Sequence, residues 1–302
     1  MRRSAPVRLL LLALFMACAS HSSFSQLSKN SRWKNDLSRR YTVTTNILYT
    51  PVDTVRARLD LYVPQETEKP VPVLLWIHGG GWGRLSKDSV SGQIIPYLQM
   101  GWVVVNVDYR LSSDALAPTA VEDCRSALRW IYDHAEEIKA DTSRIVVSGT
   151  SAGGHLALMT GMLAPGTALD ANCPGPPMRV ASIINFYGIT DVNDLLAGSP
   201  NRRGYAVKWI GDQSDAASVA RIVSPLTYVR AGLPPILSIQ GDADPTVPYQ
   251  HSVRLHEALT AAGVPNELMT IPGGVHGKFT KEQNREIEVR IRDFLTRYGI
   301  VN

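Results

Sequence analysis

Residues 144–148, Arg-Ile-Val-Val-Ser, run directly into Gly149-Thr150-Ser151-Ala152-Gly153, and the chain continues as His155-Leu156-Ala157-Leu158-Met159. The β-branched run reads as a buried strand and the segment after the serine as the start of a helix. That context narrows the folds open to the chain. A strand that turns into a helix within so few residues must turn sharply, and a bulky Cβ beside Ser151 would meet the incoming helix. Small neighbours on both sides of Ser151 meet this demand. The turn also leaves the serine hydroxyl exposed at the strand's end, where a carbonyl can reach it.

The rest of the chain repeats the same alternation. Residues 71–77 and 102–107 are near-continuous apolar runs, the pattern of strands covered on both faces in a parallel sheet. Residues 41–43 and 57–63 alternate like half-buried strands, and 180–186, 236–240 and 268–271 are further strand candidates. Residues 118–138 read as an amphipathic helix with Pro118 in its first turn and a stripe of Val121, Cys124, Ala127, Leu128 and Ile131. Helices are also expected at 251–262 and 282–298. Strands alternating with helices predict an α/β fold, a mostly parallel, doubly wound sheet with helices on both faces. Ligands bind such sheets outside the carboxyl ends of the strands. A chain of 302 residues, 44% hydrophobic and 19% charged, can build one large domain of this kind. Between residues 191 and 229 the pattern weakens. This insertion is open to two readings, a cap over the strand ends or a poorly ordered surface excursion.

Residues 1–25 have the layout of a secretory signal peptide. Arg2, Arg3 and Arg8 precede an apolar run at 9–17 that is too short to span a membrane, and small residues follow. Cleavage is expected near Ala19 or after Ser25, leaving a polar leader to residue 40 and a protein that is secreted or periplasmic. Cys18 also allows lipidation, although Phe15 stands where a leucine is usual in that signal. Three of the chain's four net positive charges belong to this segment, so neither nucleic-acid binding nor stable membrane insertion is expected. Cys124 and Cys173 remain after processing, and a bridge between them and two free thiols are both open. No Cys/His spacing suggests a metal.

Serine is a poor nucleophile until a base takes its proton and a third group orients the base. Among the histidines, His276 in Pro272-Gly273-Gly274-Val275-His276-Gly277 follows the last strand candidate, on a glycine-rich loop able to carry an imidazole across the strand ends. His251 and His256 lie on a helix, His155 is one turn beyond Ser151, and His134 is near a helix end. Asp242 and Asp244 follow the strand at 236–240. Asp244 is the expected orienting acid, with Asp242 holding the loop. Two acids without a third ligand do not make a metal site. His78-Gly79-Gly80-Gly81-Trp82 follows the strand at 71–77. Gly80 and Gly81, with Ala152 at the helix N-terminus, are the expected donors to an oxyanion, and His78 is expected to brace the loop. The order Ser151, Asp244, His276 is that of α/β-hydrolases.

Trp76-Ile77-His78-Gly79-Gly80-Gly81-Trp82, Asp108-Tyr109-Arg110-Leu111 and Gly149-Thr150-Ser151-Ala152-Gly153-Gly154 resemble the α/β-hydrolase superfamily. The likeness is to carboxylesterases with a His-Gly-Gly-Gly-Trp motif, of the feruloyl/acetyl-xylan-esterase-like and hormone-sensitive-lipase-like groups. The resemblance covers about residues 40–300. It implies an α/β-hydrolase domain at 41–300 with about eight strands, and a serine mechanism with no metal and no cofactor. Asp108-Tyr109-Arg110 is structural in that pattern. The implied substrate is a carboxylic ester, small or linked to a polysaccharide, including acetyl and feruloyl esters. A serine peptidase and a non-catalytic binding protein are the alternatives on this fold. Trp82 and Tyr187 are the expected substrate-binding aromatics, with packing as the competing role. Gly83-Arg84-Leu85-Ser86-Lys87 departs from the glycine-serine turn common in related sequences, which assigns Arg84 and Leu85 to the pocket mouth. Oligomeric state is not readable from the sequence.

Overall fold

The apolar runs become strands buried on both faces. In β3 (Val71–Ile77), Val73, Leu75 and Ile77 face one side and Leu74 and Trp76 the other, and none is more than 1% exposed. A strand with no wet face can sit only inside a covered sheet. The computed structural model describes residues 39–50, 56–89, 92–170, 173–198, 200 and 202–301. Along the chain two compact units separate, Met1–Thr42 and Val43–Asn302. Of the first, residues 39–42 are described and carry the start of β1 (Tyr41–Leu48). The signal read in residues 1–25 and nearly all of the leader lie outside the described residues. Among the described residues, no helix is long and apolar enough to cross a membrane.

The described strands form an eight-stranded sheet in the order β1-β2-β4-β3-β5-β6-β7-β8, in which β2 to β8 belong wholly to the second unit. β2 (Arg58–Pro64) pairs antiparallel with β4 (Val103–Val107), placing Leu59 opposite Val107. From β4 onward the pairs are parallel, through β3, β5 (Ala140–Thr150), β6 (Ser182–Phe186), β7 (Ile236–Gly241) and β8 (Asn266–Ile271). β3 has β4 on one side and β5 on the other. The winding therefore reverses at β3, and a crevice opens between the loops that leave the carboxyl ends of β3 and β5.

Two helix layers cover the sheet. α2 (Thr119–Asp133) and α3 (Ala152–Met162) share a cluster with Val73, Leu75, Ile77, Val147 and Ile183. α1 (Ile95–Gln99) and α8 (Lys281–Arg297) lie on the opposite face, lining a cavity with Phe186, whose ring is 6.0 Å from that of Trp76. α3 is apolar around most of its girth and almost wholly buried, as expected of a central helix. The 191–229 segment folds as α4 (Val192–Leu196), α5 (Gly204–Ile210), α6 (Ala216–Ile222) and a 3-10 turn at Pro225–Tyr228. α7 (Gln250–Ala261) follows β7. The helix expected at 118–138 stops at Asp133. The backbone leaves the helical region at His134, with φ −110° and ψ 13°, where the ring Nδ1–H donates to the Trp130 carbonyl at 2.8 Å and the imidazole stacks on Trp130 at 4.2 Å.

Cys124 and Cys173 are both free and buried, and the Cys173 thiol lies 3.4 Å from the Ser126 hydroxyl. The bridge left open by the sequence is absent. A charged pair does join α2 to the region beyond α3. Arg125 Nε and Nη2 donate to Asp170 at 2.5 and 2.7 Å, and Nη1 donates to the Thr160 carbonyl at 2.8 Å. Arg125 is 1% exposed, so its charge depends on Asp170 for compensation. Removing one partner of such a pair leaves a buried uncompensated ion. Asp170→Ala is expected to cost about 3–5 kcal/mol of stability. Denaturant unfolding will measure it, and a loss below about 1 kcal/mol would show that Arg125 reaches solvent when unpaired.

Candidate active site

Ser151 sits at the junction of β5 and α3 with φ 56° and ψ −119°, a left-handed backbone that L-residues rarely adopt. Its N–H donates to the Phe186 carbonyl at 2.8 Å, and its own carbonyl accepts from His155 N–H at 2.9 Å as α3 begins. The turn is this tight because backbone meets backbone. A Cβ on Gly153 would stand 2.1 Å from the Ile77 carbonyl oxygen, so only glycine lets α3 start against the end of β3.

A loop from each of the following strands reaches the serine. His276, beyond β8, has Nδ1 2.7 Å from Asp244 Oδ2 and Nε2 2.9 Å from Ser151 Oγ. An ionised carboxylate only accepts, which places the imidazole proton on Nδ1 and leaves Nε2 to accept from the serine hydroxyl. Asp244, beyond β7, is held on all sides. Oδ1 accepts from Thr246 and Val247 N–H at 2.8 and 3.0 Å, and Oδ2 accepts from Gln240 Nε2 at 3.2 Å besides His276. Asp242 Oδ1 accepts from Gly273 N–H at 2.7 Å and ties the Asp244 loop to the His276 loop. After that loop, Thr280 and Gln283 form a capping box that fixes the start of α8. A hydroxyl hydrogen-bonded to an imidazole, itself backed by a fixed carboxylate, can lose its proton as it attacks.

The loop after β3 lies against the same turn. A Cβ on Gly79 would stand 2.8 Å from the Thr150 carbonyl and 3.6 Å from Ser151 Cβ. Gly80 and Gly81 have φ of 110° and 60°, and a Cβ on Gly80 would stand 2.0 Å from the Arg84 carbonyl. Among the described residues no acceptor engages the N–H groups of Gly80, Gly81 or Ala152, so they remain free for a negative oxygen. His78 stacks on Tyr109 at 4.4 Å, and the Tyr109 hydroxyl lies 3.2 Å from the His78 carbonyl. Arg110 forks onto Asp123, with Nη2 2.6 Å from Oδ1, and Asp108 accepts from Lys87 N–H at 2.7 Å. The Asp108-Tyr109-Arg110 side chains thus brace the loop from behind.

Trp82 requires a correction. Its side chain is fully buried, stacked on Trp209 at 4.1 Å and 9°, and its Nε1–H donates to His155 Nδ1 at 3.2 Å. α5 of the 191–229 segment brings Trp209 onto one face of the indole, and the buried side chain offers no exposed surface to a ligand. Tyr187 stands nearer the reacting groups. It is half-buried, its ring centroid lies 4.7 Å from that of His276 in an edge-on arrangement, and burial pushes its hydroxyl up to about 12. Arg84 and Leu85 are exposed, Leu85 by 55%.

Two residues of the 191–229 segment join the site without a sequence signal. The Tyr205 hydroxyl donates to the Thr246 carbonyl at 3.1 Å, and a Cβ on Gly81 would stand 3.1 Å from Tyr205 Cβ. Arg203 Nε also donates to Thr246 at 3.1 Å. Their partners lie some forty residues away in the chain, and two isolated side chains in a polar stretch carry no periodicity that would reveal them. The remaining histidines are held elsewhere. His251 accepts from Thr190 N–H at 3.1 Å, His256 Nδ1 meets Asn266 Oδ1 at 2.7 Å, and His155 Nε2–H donates to the Val223 carbonyl at 2.6 Å. Among the described residues no group of three or more His, Cys, Asp or Glu could hold a metal ion.

Comparison with known proteins gives consistent results. The BD-FAE family model matches residues 59–259. Carboxylesterase NlhH of Mycobacterium tuberculosis is 31% identical over 231 residues, 72% of this chain and 69% of NlhH. Esterase LipC of the same organism is 28% identical over 250 residues, 79% of this chain and 60% of LipC, so the chain spans less than two thirds of that relative. Among solved structures, a truncated carbohydrate esterase from gut microbiota superposes with a TM-score of 0.73 at 25% identity, covering 85% of this chain and 98% of that one. The propionate-bound esterase Est2 of Thermogutta terrifontis gives 0.70 at 29% identity, covering 87% and 96%.

Two outcomes follow from the geometry. The left-handed backbone at Ser151 is strained for any residue with a Cβ, so Ser151→Gly should be more stable than Ser151→Ala by about 1 kcal/mol, the strain relief less the glycine entropy. Equal melting of the two variants would remove the strain. Burial pushes His155 and His251 down to about 4. Their folded values lie below the ordinary unfolded value near 6.5. The unfolded chain therefore binds protons that the folded chain refuses, and their contribution to stability is full above about pH 6.5 and is lost as pH falls toward 4. Unfolding free energy measured over that range should fall with pH, and less steeply in His251→Asn.

Proposed function

We propose that this chain, which belongs to the BD-FAE family of α/β-hydrolase carboxylesterases, hydrolyses carboxylic esters through an acyl-enzyme on Ser151. The observation that carries the reading is the chain of hydrogen bonds from Asp244 through His276 to Ser151, at 2.7 and 2.9 Å. Ser151 Oγ attacks the ester carbonyl while His276 Nε2 takes its proton. The N–H groups of Gly80, Gly81 and Ala152 stabilise the oxyanion of the tetrahedral intermediate. His276 then gives the proton to the departing alcohol oxygen. Water repeats the sequence on the acyl-enzyme and releases the acid. Asp244, locked by four donors, keeps the imidazole in the tautomer that can accept from serine and stabilises the imidazolium between steps. Tyr187 packs on the imidazole edge and limits its rotation.

The finer reading is an acyl group on a plant polysaccharide, acetyl or feruloyl. Its support is the resemblance of the two glycine motifs together with the likeness to a carbohydrate esterase. The signal read in residues 1–25 would place the enzyme outside the cytoplasm, where such polymers are met. The 191–229 segment, through Tyr205 and Arg203, covers one side of the crevice as a cap.

An ester panel varying acyl length and alcohol, run on wild type and Ser151→Ala, tests the mechanism. Ser151→Ala is expected to lose about 10³-fold or more in kcat. Retained turnover in that variant would sink the mechanism. Release of acetate or ferulate from xylan is expected of the wild type. Turnover confined to short free esters would sink the polysaccharide reading, and cleavage of peptide amides without ester turnover would make the chain a peptidase.

A further inference from the structure

We infer that His155 is a positioning residue for the oxyanion loop, holding the Trp82 indole so that Gly80 and Gly81 stay in register with Ser151. The inference rests on the esterase reading of that loop and adds to it a residue that touches no substrate.

Gly80 and Gly81 have little stiffness of their own, and the peptide that follows them belongs to Trp82 at φ 55°, an unfavourable value for a tryptophan. Something outside the loop must hold Trp82 there. The Trp209 ring covers one face of the indole at 4.1 Å, and His155 stands edge-on at 5.0 Å and accepts the indole N–H at 3.2 Å. His155 is fully buried and uses both ring nitrogens. Nε2–H donates to the Val223 carbonyl at 2.6 Å, which leaves Nδ1 as the acceptor Trp82 requires. Burial pushes its pKa down to about 4, so the ring is neutral and the tautomer is set by its two partners. The backbone of the same residue donates to the Ser151 carbonyl at 2.9 Å. One residue therefore touches the serine turn through its main chain and the oxyanion loop through its side chain. Val223 and Trp209 supply the other end of the contact, and both belong to the 191–229 segment.

The Nδ1 and Nε2 contacts can be separated by substitution. His155→Asn places an amide oxygen near the position of Nδ1 and keeps an acceptor for Trp82, while losing the donor to Val223. His155→Gln reaches toward Val223 with an amide N–H and loses the acceptor. Both are measured on a short aryl acetate beside Trp82→Phe, which removes the indole N–H. His155→Asn is expected to stay within about threefold of wild-type kcat. His155→Gln and Trp82→Phe should each lose about 10–100-fold in kcat with KM within about threefold, the signature of a displaced transition-state donor. The double variant Trp82→Phe/His155→Gln should be no slower than either single one, because both remove the same contact. Thermal unfolding of all four variants separates positioning from stability, since the two histidine variants should melt alike while their kcat values differ.

Equal kcat in His155→Asn and His155→Gln, or wild-type kcat in Trp82→Phe, would overturn the inference. If neither histidine variant folds, the kcat and KM of Trp82→Phe decide it by the same criterion. A wild-type protein inactive on every ester would overturn the esterase reading itself, a result distinct from an active enzyme indifferent to these substitutions.

Discussion

Backbone packs on backbone where β3, β5 and α3 meet, and the crevice is built outward from that contact. The Ile77 carbonyl occupies the space a Cβ on Gly153 would need, and a Cβ on Gly149 would stand 2.5 Å from the same oxygen. With no side chains between them, the first turn of α3 and the end of β3 lie as close as main chains can. This closeness puts Ser151 at φ 56° and brings the loop after β3 against it. The cost of the strained serine, of order 1–3 kcal/mol, is carried by the sheet, whose central strands are too well buried to relax.

Around that contact, polar groups sort by how many of their partners are fixed. Asp244 has every lone-pair direction occupied, so its carboxylate can serve as a reference point for His276. Among the other buried histidines, His155 has a fixed partner on each ring nitrogen, and burial keeps His155 and His251 neutral. His276 differs from both in being partly exposed and in bonding to the Ser151 hydroxyl. A histidine with a carboxylate on one nitrogen and a serine on the other can pass a proton, whereas one locked between two rigid partners can only hold a position.

The parallel strands could be read from the sequence because a run such as Val-Leu-Leu-Trp-Ile has no wet face to offer. Helix ends were less legible. α2 ends five residues early at His134, which bonds to and stacks on Trp130, and nothing in the apolar stripe announces that contact. Ser151, Asp244 and His276, which the structure brings within hydrogen-bond reach of one another, each follow a strand in a small-residue loop that the sequence displays. Trp82 was misassigned for a physical reason. An aromatic beside an oxyanion glycine can face the ligand or the core, and the choice depends on Trp209, more than a hundred residues further along the chain. Tyr205 and Arg203 were invisible for the same cause, since their partners lie in the loop after β7.

By itself the sequence determined which residues must sit at strand ends and which positions must be glycine, because burial periodicity and the clash of a Cβ are local properties. It also limited the chemistry to a serine with an acid and a base available in the right order. The tertiary structure decided what surrounds those groups. The stacking of Trp209 on Trp82, the pairing of His155 with Val223 and the reach of Tyr205 to Thr246 each join segments far apart in the chain. Their energies come from burying specific surfaces together, and no pattern along one segment encodes the shape of the other.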